Sequence, residues 1–233
     1  MKKSILIILI TLLTIGLNAQ SLLPIKYGIK VGVNISSLSI SAIEGVKEPI
    51  NSSQIGIAAG ACAYIPLSDK WYINPELLYS QKGASFDYDF QHLYGNTNTE
   101  HNTTNQLTFS YVELNPTISF KASDKLALNF GPSISFLIGE KYSQNPSEFI
   151  FNTTDSLITD GLVKVATLDI GLNLGLSYFI TDNFLVDTRA YTGFMKAAEV
   201  TQPYETVVPP NLVPNPAYTL KNRAIVFSLA YLF

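Results

Sequence analysis

Apolar and polar residues alternate one by one over most of this chain. From Asn222 to Phe233, Ile225, Phe227, Leu229, Tyr231 and Phe233 fall on one face. Asn222, Ala224, Val226, Ser228, Ala230 and Leu232 fall on the other. A period of two predicts a β-strand with one greasy face. Upstream, Tyr27, Ile29, Val31, Val33 and Ile35 alternate with Gly28, Lys30, Gly32, Asn34 and Ser36. A second strand is expected from about Gln54 to Ile65, with Ile55, Ile57 and Ile65 on one face and Ala and Gly through its middle. The third opens at Trp71 and sets Trp71, Ile73, Leu77 and Tyr79 against Asn74, Glu76, Ser80 and Lys82. The fourth sets Val112, Leu114, Ile118 and Phe120 against Tyr111, Glu113, Asn115, Thr117 and Ser119. A fifth begins at Leu126, a sixth near Thr167 and a seventh at Phe184, with Asp169, Asp187, Arg189 and Tyr191 on their polar faces.

Three short turns repeat one pattern: Leu67-Ser68-Asp69-Lys70-Trp71, Ala122-Ser123-Asp124-Lys125-Leu126 and Ile180-Thr181-Asp182-Asn183-Phe184. Each sits between two alternating runs, and Asp in a tight turn is expected to cap its own backbone. Longer polar connections are expected at about 39–53, 91–106, 140–161 and 196–221. The last of these holds five of the 12 prolines, so it is expected as loop. Three tight turns and four long loops arrange eight strands, with both chain ends on the turn side. Phe86, Tyr88 and Phe90 switch parity relative to Trp71; a bulge near Gly83 or a hairpin rising above a bilayer would allow that. Pro75, Pro116 and Pro132 each remove a ladder hydrogen bond, and bulges near the turns are expected to absorb them.

The two faces are inverted relative to a soluble protein. A soluble lipocalin-like barrel keeps its apolar residues inside. Here a face of Gly, Asn, Ser, Asp, Glu and Arg recurs in strand after strand, and such a face cannot form a dry core. The expectation is an all-β fold, an eight-stranded antiparallel up-and-down transmembrane β-barrel with four long extracellular loops and three short periplasmic turns. Residues 1–19 read as a signal peptide: Lys2 and Lys3, an apolar run from Ile5 to Leu17, and a cleavage site at Leu17-Asn18-Ala19. That run is shorter than the ~20 residues a helical span requires. Residues 20–233 then form one outer-membrane barrel domain, exported and integral. Without Lys2 and Lys3, 13 basic residues face 18 acidic ones, a balance of −5. This argues against nucleic acid as a partner. Cys62 is the one cysteine, which excludes an intramolecular disulfide.

Several stretches resemble the PorT-like family of outer-membrane β-barrel proteins: Y-G-I-K-V-G-V-N from Tyr27, N-P-E-L-L-Y-S-Q-K-G-A from Asn74, S-Y-V-E-L-N-P from Ser110, and L-N-F-G-P from Leu128. P-E-L-L-Y-S-Q-K-G is the most specific of them. Family members often show Leu-Glu-Ile-Pro in strand four, whereas here Asn115 separates Leu114 from Pro116. The last strand, with Phe227, Leu229, Tyr231 and terminal Phe233 outward, resembles the assembly signal of such barrels. The resemblance implies a Gram-negative outer-membrane protein, with membrane lipids and the barrel-assembly machinery as partners. Some relatives are associated with protein secretion and gliding. It implies no catalytic residues.

The inward charges are Lys30, Glu76, Lys82, Glu113, Asp169, Asp187 and Arg189. Eight strands leave a lumen just wide enough for side chains to fill. These charges therefore read as a paired plug, with a narrow ion path as the alternative. Arg189 is expected to bond at least one of the inward carboxylates. Tyr64, Trp71, Tyr72, Phe120, Tyr178 and Phe184 cluster near the turns, as does Phe233, and are expected as a periplasmic aromatic girdle. His92 and His101 lack metal-ligand spacing and read as solvated loop residues. Asp87 and Asp89 fall short of the 6–8 oxygens a Ca²⁺ site needs. No metal or cofactor is expected. The function expected is non-enzymatic: a barrel displaying loops for binding, adhesion or assembly with an envelope or secretion complex. A porin-like channel for ions or small solutes is the alternative. An outer-membrane lipid-modifying enzyme would need a Ser–His pair that the sequence does not present.

Overall fold

Each alternating run forms a strand. In chain order the strands are β1 (Lys26–Ala42), β2 (Ile50–Pro66), β3 (Trp71–Phe90), β4 (His101–Lys121), β5 (Leu126–Asn145), β6 (Val163–Val165), β7 (Leu168–Phe179), β8 (Phe184–Gly193), β9 (Ala198–Val200) and β10 (Tyr218–Leu232). The computed structural model describes residues 25–42, 50–90, 101–145, 163–200 and 218–233. Residues 1–19, expected as a signal peptide, and His92 lie outside them. Eight strands pair antiparallel in the order β1-β2-β3-β4-β5-β7-β8-β10, and β10 returns to pair with β1. The closing seam runs from Gly28↔Leu232 to Ala42↔Tyr218, and Phe233 N donates to the Tyr27 carbonyl at 2.7 Å. The sheet closes on itself as an eight-stranded barrel.

Strands continue past the points where alternation fades. β1 and β2 extend into the expected loop at 39–53, β4 takes in His101, β5 reaches Asn145, and β10 begins at Tyr218. The physical reason is simple: a strand pair keeps its ladder above the bilayer, but its outer face no longer has to be apolar. The short β6 and β9 pair with each other and, through β9, with the upper end of β10. Three-residue runs carry too little pattern to be read from sequence.

Two local expectations need correction. In the turns it is the hydroxyl before each Asp that accepts the backbone N–H. Ser68 Oγ accepts from Trp71 N at 3.3 Å, Ser123 Oγ from Leu126 N at 3.2 Å, and Thr181 Oγ1 from Phe184 N at 3.0 Å. A serine or threonine hydroxyl mimics the turn as Asp does. The prolines are not absorbed by bulges either. Pro75 faces Pro116 across β3–β4, and the register there is constant from Trp71↔Phe120 to Phe90↔His101. Instead the β2–β3 ladder skips from Cys62↔Glu76 to Ile65↔Ile73, and the β4–β5 ladder from Leu114↔Ile134 to Ile118↔Phe130. Thr117 Oγ1 donates to the Asn74 carbonyl at 2.9 Å beside one of these gaps. The registers that do slip are β2–β3 between Ser53 and Ala58, and β4–β5 between Ser110 and Tyr111. Gly83, opposite the first slip, has φ 155, a conformation that needs glycine.

The outer surface is apolar, as lipid requires: Ile29, Val31, Leu77, Phe130, Leu174 and Leu229 are all exposed. The inside is tiered. At the turn end Cys62, Tyr64, Leu185, Ala230 and Leu232 pack with Phe179. At the loop end Leu38, Ala84, Leu107, Phe109, Tyr111 and Leu220 pack with Ala197 and Ala198. Polar and charged side chains fill the middle. The inner face of β1–β2 is built small, with Gly28, Gly32, Ala58 and Gly60. A Cβ on Gly60 would stand 2.1 Å from the Leu77 carbonyl oxygen.

A closed ring offers no edge at which to unzip, so the unboiled protein is expected to migrate apart from the boiled protein on dodecyl sulfate gels. Gly60→Val should reduce that folded band to a minor fraction. Gly139→Ala, whose Cβ would meet nothing nearer than 3.9 Å, should leave it intact. Equal bands in the two variants would show that the β1–β2 wall tolerates bulk.

The barrel lumen as candidate functional site

Inward-facing alternation brings all seven charges into the lumen. Lys30, Glu76, Lys82, Glu113, Asp169, Asp187 and Arg189 are each 6% exposed or less. They sort into two clusters. In the first, Arg189 reaches from β8 to β3, on the opposite wall, and grips Glu76 with two parallel bonds. Nη1 lies 2.6 Å from Oε2 and Nη2 2.8 Å from Oε1. This forked geometry is the strong form of a guanidinium–carboxylate pair. Nη2 also lies 3.2 Å from Asp187 Oδ1. Lys30 Nζ stands 2.5 Å from Glu76 Oε1 and 3.4 Å from Asp187 Oδ1. Ser177 Oγ donates to Asp187 Oδ2 at 2.8 Å, and Asn129 Nδ2 to the same oxygen at 3.2 Å. Two cations thus meet two carboxylates. The small inner face of β1–β2 is what leaves room for them.

The second cluster lies toward the loop end. Lys82 Nζ stands 2.5 Å from Glu113 Oε1 and 3.5 Å above the centre of the Tyr191 ring. Tyr191 Oη donates to Asp169 Oδ2 at 2.7 Å, and Asn222 Nδ2 donates to that oxygen at 2.8 Å. Two neutral donors therefore hold Asp169. Between the clusters, Lys30, Asn34, Lys82, Glu113, Arg189 and Tyr191 surround a void of about 10 Å³, room for roughly one water.

Several side chains lie where the alternation, more than the turn positions, would put them. Tyr64 and Tyr72 are not in the lipid-facing girdle. Tyr64 shares inward parity with Cys62 and is 4% exposed, packed edge-on to Phe179 at 6.0 Å. Tyr72 pairs with inward Ser119 and lines the turn-end mouth. Proximity to a turn suggested the girdle, and the period of two overrules it. Trp71 and Phe120 do face outward, 4.9 Å apart, with Tyr178 exposed on the same surface; Phe184 shares the outward parity of Val186. Phe227, Leu229, Tyr231 and Phe233 form the exposed stripe of the last strand, and Tyr231 packs against Phe233 at 5.4 Å. Asp87, Asp89 and His101 lie on the paired upper ends of β3 and β4. Among the described residues no three His, Cys, Asp or Glu side chains gather as metal ligands. Asn129, Ser177 and Asn222, the neutral donors to the carboxylates, were not among the expected site residues. Their inward parity was the available signal.

A closed ring of strands, apolar without and charged within, is the architecture of a membrane barrel. Residues 18–199 match the family model described as outer membrane protein beta-barrel domain. The chain belongs to this family. Membership makes the protein an integral outer-membrane barrel, and in such barrels the short turns face the periplasm. Solved structures with similar folds include the outer membrane protease OmpT from Escherichia coli, at 10% identity and a TM-score of 0.44, covering 90% of this chain and 96% of that one. Another is the attachment invasion locus protein Ail of Yersinia pestis in complex with sucrose octasulfate, at 9% identity and 0.42, covering 91% and 100%. Neisserial surface protein A matches at 11% identity and 0.42, covering 89% and 97%. At these values the likeness carries nothing about substrate or partner. No curated protein sequence matches the chain.

Arg189→Ala should lower the unfolding free energy by about 3–5 kcal/mol, because it strands a buried carboxylate. The double change Glu76→Leu with Arg189→Met leaves Lys30 facing Asp187 in balance and should recover most of the loss. Urea titration in lipid vesicles, read by the fluorescence of the single tryptophan, Trp71, checks both. A double variant no more stable than the single one would refute the pairing account.

Proposed function

We propose that this protein is a non-enzymatic outer-membrane barrel. Its lumen is shut by its own side chains, and its outer end displays a binding surface for adhesion or for assembly with an envelope or secretion complex. The observation that carries the reading is the filled lumen: apolar caps at both ends, with two charge clusters between them whose members bond one another or, for Asp169, neutral donors. Charges engaged in this way are poor candidates for moving solute. The wall itself supports the display role. A tilted strand crosses the hydrocarbon in about 9–11 residues, whereas β3 has 20 residues and β4 has 21. Their ladder therefore rises well beyond the bilayer as a paired platform. The PorT-like stretches support a partner in the envelope. Export follows a signal at residues 1–19 removed after Ala19, and the outward stripe ending at Phe233 is the feature that the assembly machinery reads.

Two measurements test this. In planar bilayers the purified protein is expected to give no steady conductance of nanosiemens size. A tagged form solubilised from outer membranes should carry an envelope protein that is lost when the upper β3–β4 hairpin, from Phe86 to Asn105, is replaced by a short turn. A steady open channel, together with co-purification indifferent to the hairpin, would overturn the proposal and favour a solute channel.

A further inference from the structure

Inside the ring of tight turns a second cavity, of about 140 Å³, opens below the turn-end cap. Its lining includes Tyr64 and Ser119, whose hydroxyls are buried and have no hydrogen-bond partner in the protein. Tyr64 is 4% exposed and Ser119 0%. A buried donor left unmet is costly, so these two hydroxyls call for an acceptor within the cavity. The rim supplies two ammonium groups. Lys26 Nζ donates to the Asp182 carbonyl at 2.7 Å, and Lys121 Nζ stands 3.5 Å from the exposed Asp124 carboxylate. Each ammonium has three donors, so both retain capacity for a further acceptor. Asp124 and Asp182 line the same rim as Lys26 and Lys121, so its formal charges balance. A single negative charge can sit against the ammonium groups of such a rim, whereas a dianion meets its carboxylates with twice the repulsion. Phe179 and Leu232 close the apolar side of the cavity. A cavity of about 150 Å³ with apolar walls is large enough for a benzene ring.

We propose that this mouth is a periplasm-facing site for a carboxylate on a short apolar or aromatic stem. The carboxylate accepts hydrogen bonds from Tyr64 and Ser119, with Lys26 and Lys121 alongside, and the stem lies against Phe179 and Leu232. A small free acid and the C-terminus of an extended peptide present this same chemistry. The site is independent of the loop-end display role, because it lies at the opposite end of a closed lumen.

Calorimetric titration of the intact barrel in detergent micelles tests the proposal with five probes. They are benzoate, benzamide, inorganic phosphate, the dipeptide Ala-Phe and its C-terminal amide. Benzoate or Ala-Phe should bind saturably, with each amide at least tenfold weaker and phosphate weaker than either acid. Whichever acid binds tighter identifies the source as free acid or peptide. Tyr64→Phe, which removes only the hydroxyl, should weaken binding at least fivefold while leaving the heat-modifiable band unchanged. Lys121→Met should weaken the acids and leave the amides unaffected. Absence of saturable binding by either acid would mean that water alone meets the hydroxyls. Amides or phosphate binding as well as the acids, or an unaffected Tyr64→Phe, would equally overturn the assignment.

Discussion

Hydrocarbon offers no partner to a backbone N–H or C=O, and from that one constraint the rest of this molecule follows. Every strand must find a neighbour on both sides, so the sheet has to close, and here β10 returns to β1 over fifteen paired positions. Closure then divides each strand into a lipid face and a lumen face. The lipid face is free to be monotonously apolar. The lumen of eight strands is too narrow to hold bulk water and too polar to be oil, so its charges must satisfy one another. Arg189 and Glu76 do this from opposite walls. The glycine- and alanine-lined face of β1–β2, featureless as sequence, is the space they occupy.

The ring, its strand order and the side of the sheet each residue faces were legible because a period of two is a direct imprint of a wall between two solvents. Where one of those solvents disappears, so does the imprint. β3 and β4 stay paired up to Phe90↔His101, and there the apolar residues Phe86, Tyr88 and Phe90 fall on the opposite parity from Trp71, so the pattern no longer marks one wall. The charged residues of the lumen were legible one by one, and so was a bond from Arg189 to an inward carboxylate; which carboxylate it grips was not. Nothing in the spacing of Glu76, Asp187 and Arg189 says that β3 and β8 face each other across a closed ring until strand order is fixed. Tyr64 and Tyr72 show a different failure. Both sit beside turns, where aromatic residues commonly meet the membrane interface, yet both lie on the inner parity. When position along a strand and parity across it disagree, parity decides, because reversing it would turn every neighbour on that strand as well.

The charge clusters also bear on which register the barrel adopts. A slip of one residue in any pairing of β1, β3 or β8 would send Lys30, Glu76 or Arg189 into lipid and draw an apolar neighbour inside. The cost of a charge in hydrocarbon makes such misalignment far worse than a lost contact. The ion cluster contributes little as a net attraction once desolvation is counted. It acts more strongly as a penalty on every arrangement but one.

The seam between the first and last strands has a consequence for how the molecule comes into being. Neighbouring strands joined by tight turns pair with residues close in sequence, and those hairpins can zip locally. Gly28 and Leu232, by contrast, are 204 positions apart when they meet. Contacts of such long range are slow to form because the chain must lose most of its freedom before they reward it. Until that moment both end strands expose unpaired edges, and Lys30 lacks Asp187, its partner on β8. The ring is therefore completed by the two parts of the chain that are farthest apart in synthesis order, and a nascent barrel remains an open, adhesive sheet until its final strand has arrived.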